Sequence, residues 1–166
     1  MSSPPNTTTS SDLVLMSDGV ASTAEIGRAA AKALAQGDLV AVSGTLGAGK
    51  SELCRAIVRA LMQDAGLEVP SPSYTLVNVY EHQDFQIWHA DLYRIGDESE
   101  LLEIGLEDAV TDSVVLLEWP QRWADLPERH AKIDIQVTGA DERRLDVTFA
   151  GGGWERLIGR LERMRG

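Results

Sequence analysis

The sequence predicts a single-domain α/β fold whose mixed sheet has central parallel strands, outer antiparallel hairpins and flanking helices. Two short apolar runs, "LVAVS" at 39–43 and "SVVLLE" at 113–118, are typical of parallel strands covered on both faces. Segments with helical periodicity lie between the strand patterns. Pairs of β-rich segments joined by short polar turns predict the hairpins.

The first half of the chain begins with a β-rich run at 13–17 and a helical pattern at 22–37. Ser22 or Thr23 is expected to cap that helix, and Gly37 is expected to end it. After the apolar run at 39–43, a second helical pattern covers 50–65. The segments 74–82 and 85–95 are rich in β-formers and separated by polar residues, which predicts a hairpin.

The second half begins with the acidic stretch 97–110, which predicts one or two short helices before the apolar run at 113–118. Pro120 is expected to end the strand in that run. The segments 132–139 and 143–150 alternate apolar and polar residues around a turn, which predicts a second hairpin. An amphipathic helix is expected over 153–166.

Composition limits the class of protein. The chain has 166 residues, 43% of them hydrophobic, which suits one domain with a buried core. Its net charge is −11, from 15 basic and 26 acidic residues, so it is a poor candidate for tight direct binding to RNA or DNA. Any nucleic acid involved is therefore expected to be held by a partner protein.

The terminus and the cysteine content predict the location of the protein. Residues 1–11 have neither a basic region nor an apolar run, so we expect a disordered lead-in rather than a secretion signal, followed by one domain over 12–166. No apolar run approaches the roughly 18 residues of a membrane span, so no membrane association is expected. A single cysteine, Cys54, excludes an internal disulfide and fits the cytoplasm.

The stretch "SGTLGAGKSE" at 43–52 has the spacing G-x-x-x-x-G-K-S, between a predicted strand and a predicted helix. This context predicts a phosphate-binding loop, because glycines allow unusual backbone angles and the helix N-terminus adds a partial positive charge. The phosphates are expected to be bound by the backbone of Gly47, Ala48, Gly49, Lys50 and Ser51. Lys50 would neutralise the terminal phosphates, and the Ser51 hydroxyl would bind Mg²⁺.

A phosphate site needs carboxylates to complete the metal shell or to position water, and two are well placed. Glu118 ends the apolar run at 113–118, where ligands of open α/β sheets bind, so it could hold Mg²⁺ or act as general base. Asp91 lies in "WHADLYRI" and suggests a second metal-site acid. The alternatives are that Glu118 merely begins a loop and that Asp91 is an exposed edge residue.

Four further features have a functional and an ordinary interpretation. His89 is more often a hydrogen-bonded structural residue than a catalyst, and Trp119 fits either the nucleotide or the core. The loop "PSPSYT" at 70–75 fits a switch segment that contacts the γ-phosphate, or an ordinary Ser-Pro loop. Cys54 follows the phosphate loop on a helix and is expected to be buried packing.

Four ordered motifs together resemble the TsaE family of bacterial P-loop ATPases. They are "SGTLGAGKSE", "SPSYTLVNVY", "WHADLYRI" followed by "ELLEIGLED", and "LLEWP". The resemblance covers roughly residues 23–120, and the combination is far more specific than the phosphate loop alone.

The resemblance implies a small single-domain P-loop ATPase that binds ATP, or ADP, with Mg²⁺. It implies action with TsaB and TsaD, which install a threonylcarbamoyl group on adenosine 37 of tRNA. ATP hydrolysis, slow without the partners, would support repeated turnover by that complex, and the tRNA would be contacted only indirectly.

The resemblance also assigns residues. Lys50 is the phosphate-loop lysine, Ser51 the Mg²⁺ ligand, and Asp91 and Glu118 the acids with metal and catalytic roles. Thr23 matches a family position near the nucleotide base.

Three positions depart from the family pattern. The family commonly has Asp where this chain has Thr45, Thr where it has Glu52, and Phe where it has Ala90. The backbone N–H of Glu52 can still serve the α-phosphate, and we expect its carboxylate to point away. The first two departures affect nucleotide affinity and hydrolysis rate rather than the existence of the site.

Three functional hypotheses follow. The first is an ATPase that serves tRNA modification through protein partners. The second is a small-molecule P-loop kinase, in which Arg122 and Arg129 of "QRWADLPERH" would form an arginine-bearing lid. The third is a non-catalytic assembly factor that changes shape when nucleotide binds.

Overall fold

A computed structural model describes residues 13–165; the lead-in expected at 1–11 lies outside them. Within the described range the strands form one mixed seven-stranded sheet with the order β1-β7-β6-β2-β5-β4-β3. The strands are β1 (Leu13–Ser17), β2 (Leu39–Gly44), β3 (Val77–Glu81), β4 (Gln86–Asp91), β5 (Ser113–Glu118), β6 (His130–Val137) and β7 (Arg143–Ala150).

Helices cover both faces of the sheet. They are α1 (Val20–Ala31), α2 (Lys50–Met62), α3 (Glu98–Ile104), α4 (Leu106–Asp112) and α5 (Glu155–Glu162), with 3₁₀ turns at Pro120–Arg122 and Arg163–Arg165. None of the helices within residues 13–165 is long and apolar enough to cross a membrane.

The centre of the sheet is parallel, as predicted. β2 pairs in parallel with β5 and with β6, and β4 pairs in parallel with β5. The predicted hairpins β3–β4 and β6–β7 are both present, and each contributes one strand to the parallel centre. The carboxyl ends of β2, β5 and β4 therefore meet at one edge, where Glu118 is opposite both Val42 and Asp91.

Alternation along β2 and β5 explains their uninterrupted apolar runs. Val40 and Leu116 pack in the larger core cluster, which is completed by side chains of α1, α2 and α5. Leu39 and Leu117 pack in the smaller cluster, which is completed by α3 and α4. Both faces of each strand are covered, so neither face needs polar side chains.

The predicted boundaries of α1 and α2 were wrong. α1 begins at Val20 with Gly19 as N-cap, so neither Ser22 nor Thr23 caps it. The Thr23 hydroxyl instead lies 2.7 Å from the Ser17 hydroxyl in a buried contact. α1 and α2 both end earlier than expected, at Ala31 and Met62.

The strand predicted at 85–95 stops at Asp91, because the Asp91 carboxylate accepts the Tyr93 N–H at 2.9 Å and turns the chain. Tyr93 therefore lies beyond the strand. The acidic stretch forms two helices, separated at Gly105, whose left-handed backbone (φ 85°) ends α3. Asp97 caps α3 through a capping box with Glu100.

Candidate nucleotide-binding site

The loop between β2 and α2 requires glycine at three positions. Gly44, Gly47 and Gly49 have φ values of 151°, 80° and 112°, which side chains disfavour. At Gly44 a Cβ would also lie 2.7 Å from the Ile135 carbonyl oxygen. The glycines of the sequence motif are therefore needed for the shape of this loop.

The loop ends at the N-terminus of α2, whose first N–H groups have no acceptor within the helix. The first helical hydrogen bond runs from the Leu53 N–H to the Gly49 carbonyl. The N–H groups of Lys50, Ser51 and Glu52 precede it and are free of intrahelical acceptors. The Ala48 N–H donates to the Thr45 carbonyl at 3.0 Å, so this predicted phosphate donor already serves the turn.

Lys50 is buried at the start of α2 and brings a cation into the loop. Its ammonium donates to the carbonyls of Gly44 at 2.8 Å and Thr45 at 2.9 Å, and it lies 4.5 Å from the ring centre of Trp119. Burial lowers the Lys50 pKa, while the nearby Glu118 and Asp91 charges act to raise it. Neutral carbonyls do not cancel its charge, so an anion placed here would gain a strong partner.

Glu118 ends β5 and lies directly across from Ser51. The Ser51 hydroxyl donates to both carboxylate oxygens, each at 3.2 Å. Glu118 is 2% exposed, so its carboxylate depends on the few donors that surround it. The contact joins the end of the phosphate loop to the end of β5, although Ser51 and Glu118 are 67 positions apart in the sequence.

Asp91 ends β4, next to Glu118 on the adjoining strand. One oxygen accepts the Tyr93 N–H at 2.9 Å, and the other accepts the Ser73 hydroxyl at 3.4 Å. Burial raises the Asp91 pKa; the bond from Tyr93 opposes this, and the Glu118 charge adds to it. The loop at 70–75 thus contacts an acid of the site, whereas its role as a switch stays a prediction.

His89 has a larger place in the site than the sequence suggested. It lies two residues before Asp91 on β4, is 1% exposed, and its Nε2 is 2.7 Å from Oε2 of Glu118. The sequence alone favours a structural role for His89, because its hydrogen-bond partner is 29 residues away and nothing local identifies it. Two-residue spacing from Asp91 on a strand was the available signal.

Lys50, Ser51, Asp91 and Glu118 line one cavity of about 300 Å³ at the carboxyl edge of the sheet, and His89 lies behind Glu118, outside the cavity lining. Its walls combine the phosphate loop, the start of α2, the loop at 70–75 and the ends of β4 and β5. The lining residues are Leu46, Gly47, Gly49, Lys50, Ser51, Glu52, Ser71, Ser73, Asp91, Glu118 and Trp119. Four of the five predicted phosphate-loop residues, all but Ala48, and both predicted acids are thus brought together.

Trp119 lies at the mouth of this cavity in a left-handed conformation, with φ 58°. Its ring is 4.8 Å from that of Tyr93 and covers Lys50. Arg122 follows, with its guanidinium 5.9 Å from the Tyr93 ring. Trp119 therefore belongs to the site as well as to the edge of the smaller core cluster.

Thr23 lies beside a neighbouring cavity of about 250 Å³, not in the first one. This second cavity is shared with Gly47, Gly49, Glu52 and Arg143. It therefore adjoins the phosphate loop on the side of α1. The Glu52 carboxylate is held by Arg55 at 2.9 Å, on its own helix.

Arg129 does not form a lid, so half of the support for the kinase hypothesis was wrong. Its guanidinium pairs with Asp38 at 2.9 Å and donates to the Gly152 carbonyl at 2.7 Å. Asp38 precedes β2, so Arg129 lies at the amino ends of the parallel strands, opposite the cavity. Its hydrogen-bonding groups are used in that contact.

The atoms of Cys54, His89 and Glu118 that could bind a metal lie within 4.8 Å of one another. Burial raises the Cys54 pKa well above its ordinary value, and Glu118 and Asp91 add to the effect. The thiol is therefore protonated and a poor ligand. Mg²⁺ prefers oxygen ligands, and Ser51, Glu118 and Asp91 offer them on the cavity side.

A protein-family model described as "Threonylcarbamoyl adenosine biosynthesis protein TsaE" matches residues 17–145. The chain is similar to the tRNA threonylcarbamoyladenosine biosynthesis protein TsaE of Rickettsia bellii, with 30% identity over 127 residues, 76% of this chain and 88% of the relative. For the protein of the same name from Bacillus subtilis, identity is 33% over 131 residues, 76% of this chain and 79% of the relative. Alignments to four other Rickettsia relatives cover 56%, 57% or 62% of their length.

Among solved structures, the crystal structure of Bacillus subtilis YdiB resembles this fold with a TM-score of 0.78 and 25% sequence identity. The match covers 96% of this chain and 100% of that one. Both the sequence and the fold of this chain thus have counterparts along most of its length.

Proposed function

This chain belongs to the TsaE family of threonylcarbamoyl adenosine biosynthesis proteins, and we propose that within that system it is a Mg²⁺-dependent ATPase. The observation that carries the proposal is the contact between Ser51 and Glu118 at 3.2 Å, in a cavity that also holds Lys50 and Asp91. A cation, helix N–H donors and two acids in one cavity match the needs of phosphate binding and hydrolysis.

The proposed chemistry assigns a task to each residue. The N–H groups at the start of α2 and the Lys50 ammonium bind the phosphates and oppose their charge. Ser51, Asp91 and Glu118 offer oxygen atoms to a metal, and the two acids are also the groups that can accept a proton from an attacking water. Bound Mg²⁺ would supply charge neutralisation at the transferred phosphate.

We place the adenosine of ATP in the second cavity, beside Thr23 and Arg143. That cavity adjoins the phosphate loop through Gly47 and Gly49, so a continuous ligand can extend from one cavity to the other. Thr23 would then lie beside the base, with its hydroxyl already bonded to Ser17.

Phosphate release separates this function from the kinase alternative. Purified protein is incubated with Mg²⁺ and γ-³²P-labelled ATP, with and without a set of small hydroxyl acceptors. We expect free labelled phosphate at the same rate in both mixtures. Transfer of the label to an acceptor, or no loss of label from ATP, would contradict the proposal.

The proposed partners are the TsaB and TsaD proteins of the same organism, with tRNA held by them rather than by this acidic chain. A chain of net charge −11 is repelled by phosphate backbones, which supports indirect contact with RNA. A pull-down with tagged chain, with and without ATP, tests the association. Retention of tRNA by this chain alone would contradict indirect contact.

A further inference from the structure

We propose that His89 is a positioning residue: it holds the Glu118 carboxylate in the orientation that Mg²⁺ binding requires. The proposal rests on the Mg²⁺-dependent nucleotide site proposed above and adds a residue to it. His89 does not line the cavity, so it acts through Glu118 and not on the nucleotide.

The buried Glu118 carboxylate has two side-chain hydrogen-bond partners within the described residues. One is the Ser51 hydroxyl, at 3.2 Å, and the other is His89 Nε2, at 2.7 Å. The Lys50 ammonium bonds backbone carbonyls and makes no ion pair with Glu118. The His89 contact is the shorter of the two, so it is the stronger hold on this buried carboxylate.

The surroundings of His89 also determine which ring nitrogen carries the proton. Its Nδ1 is buried and has no hydrogen-bond partner within residues 13–165. A proton on Nδ1 would be a buried donor without an acceptor, whereas a proton on Nε2 meets the Glu118 oxygen. The packing therefore selects the tautomer that donates to Glu118.

Residues that hydrogen-bond to a metal ligand commonly fix the orientation of that ligand, and their loss weakens metal binding about 10–100-fold. The Cys54 side chain lies against the same pair and is fully buried, and His89 itself is only 1% exposed, so packing restricts the ring. His89 is thereby fixed on β4, and Glu118 on the neighbouring strand is fixed through it.

The test compares His89→Leu, which removes the donor, with His89→Gln, which places an amide N–H near the position of Nε2. ADP affinity is measured by calorimetry across buffered free Mg²⁺ concentrations. For His89→Leu we expect a rise of about tenfold in the free Mg²⁺ concentration that gives half of the Mg²⁺-dependent increase in ADP affinity. The Mg²⁺-free ADP affinity should stay within about twofold, because the phosphate donors are intact. For His89→Gln we expect a value within about threefold of wild type, since the donor is restored.

The matched control is His130→Leu, because His130 bonds the Pro127 carbonyl at the opposite edge of the sheet. It should keep the wild-type Mg²⁺ response. An unchanged response in His89→Leu, or equal losses in His89→Leu and His89→Gln, would overturn the role of the N–H donor. A wild-type protein whose ADP affinity ignores Mg²⁺ would instead overturn the proposed metal site, and this inference with it.

A spectroscopic readout is independent of the metal. In ¹⁵N-histidine NMR of the wild-type protein, we expect the His89 ring to carry a proton on Nε2. The other histidines, His82 and His130, serve as internal references. A proton on Nδ1 alone would overturn the proposal, because Nε2 could then not donate.

Discussion

At the carboxyl ends of the parallel strands, Lys50 is bonded only to neutral carbonyls, whereas at the amino ends Arg129 is paired with Asp38. Arg129 also donates to the Gly37, Gly152 and Gly153 carbonyls and lies 4.0 Å from the Trp154 ring centre. At the amino-end edge, the charges of Arg129 and Asp38 are therefore paired within the chain. At the carboxyl-end edge, buried Lys50 lies near buried Asp91 and Glu118 but forms no ion pair with either acid.

The difference distinguishes a structural edge from a binding edge. Burying charges that are not paired costs folding free energy. Lys50, Asp91 and Glu118 are all buried in the same small region, and such sites are retained where a ligand completes the pairing. Arg129 and Asp38 make a contact that is complete without a ligand.

The largest expected effect comes from a substitution at the binding edge, at the carboxyl ends of the parallel strands. Lys50→Ala should reduce ATP hydrolysis at least about 100-fold, because the charge that opposes the phosphates is lost. It should not lower the melting temperature, because a buried cation without an ion pair is removed. Phosphate release and thermal unfolding measure the two effects.

Lys132, an exposed lysine on β6, supplies the matched control. Lys132→Ala should change neither quantity. Unchanged hydrolysis in Lys50→Ala would remove Lys50 from the site.

The second prediction concerns a substitution at the structural edge, at the amino ends of the parallel strands. Arg129→Ala should lower the free energy of unfolding by about 1–2 kcal/mol, since it removes a partly exposed ion pair and several carbonyl contacts. ATP hydrolysis at a temperature where the variant is folded should stay at the wild-type rate. Urea denaturation and phosphate release check the pair of outcomes, and a selective loss of hydrolysis would show that Arg129 serves the site.

The third prediction concerns pH. Burial raises the folded-state pKa of Asp91 above its ordinary value of 3.8, so the folded chain holds this proton more tightly than the unfolded chain. That contribution favours folding at acid pH and is lost as pH rises through the folded pKa. Asp91→Asn should therefore raise the melting temperature by about 2 °C at pH 7.

The gain should shrink as pH falls and disappear below 3.8, where wild-type Asp91 becomes protonated in both the folded and the unfolded chain. Asp125→Asn, at an exposed position, is the control and should change little at either pH. A gain that grows towards acid pH would contradict the assigned direction of the pKa shift.

Much of the fold followed from local patterns in the sequence. The apolar runs of β2 and β5 indicated strands covered on both faces, and the alternating segments indicated both hairpins. The start of α1 was missed because Gly19 caps it without a side chain. The end of β4 was missed because a tertiary feature, the bond from Tyr93 to Asp91, turns the chain there.

The candidate site was predicted less evenly. The phosphate-loop spacing and the acids at strand ends placed Lys50, Ser51, Asp91 and Glu118 in one cavity, as the structure has them. The bond from His89 to Glu118 joins two strands that are distant in sequence, so the spacing of His89 from Asp91 could point to the site but not to this partner. Arg129 was misassigned for the same reason, because its partner Asp38 is 91 positions away.

The most direct test of the central claim is multiple-turnover formation of threonylcarbamoyladenosine on tRNA in a system reconstituted with TsaB and TsaD. Wild-type chain with Mg²⁺ and ATP should support repeated rounds of modification, and Glu118→Gln should support no more than the mixture lacking this chain. Equal yields with wild type and with Glu118→Gln would contradict a catalytic role for Glu118, and equal yields with and without the chain would contradict the proposed function.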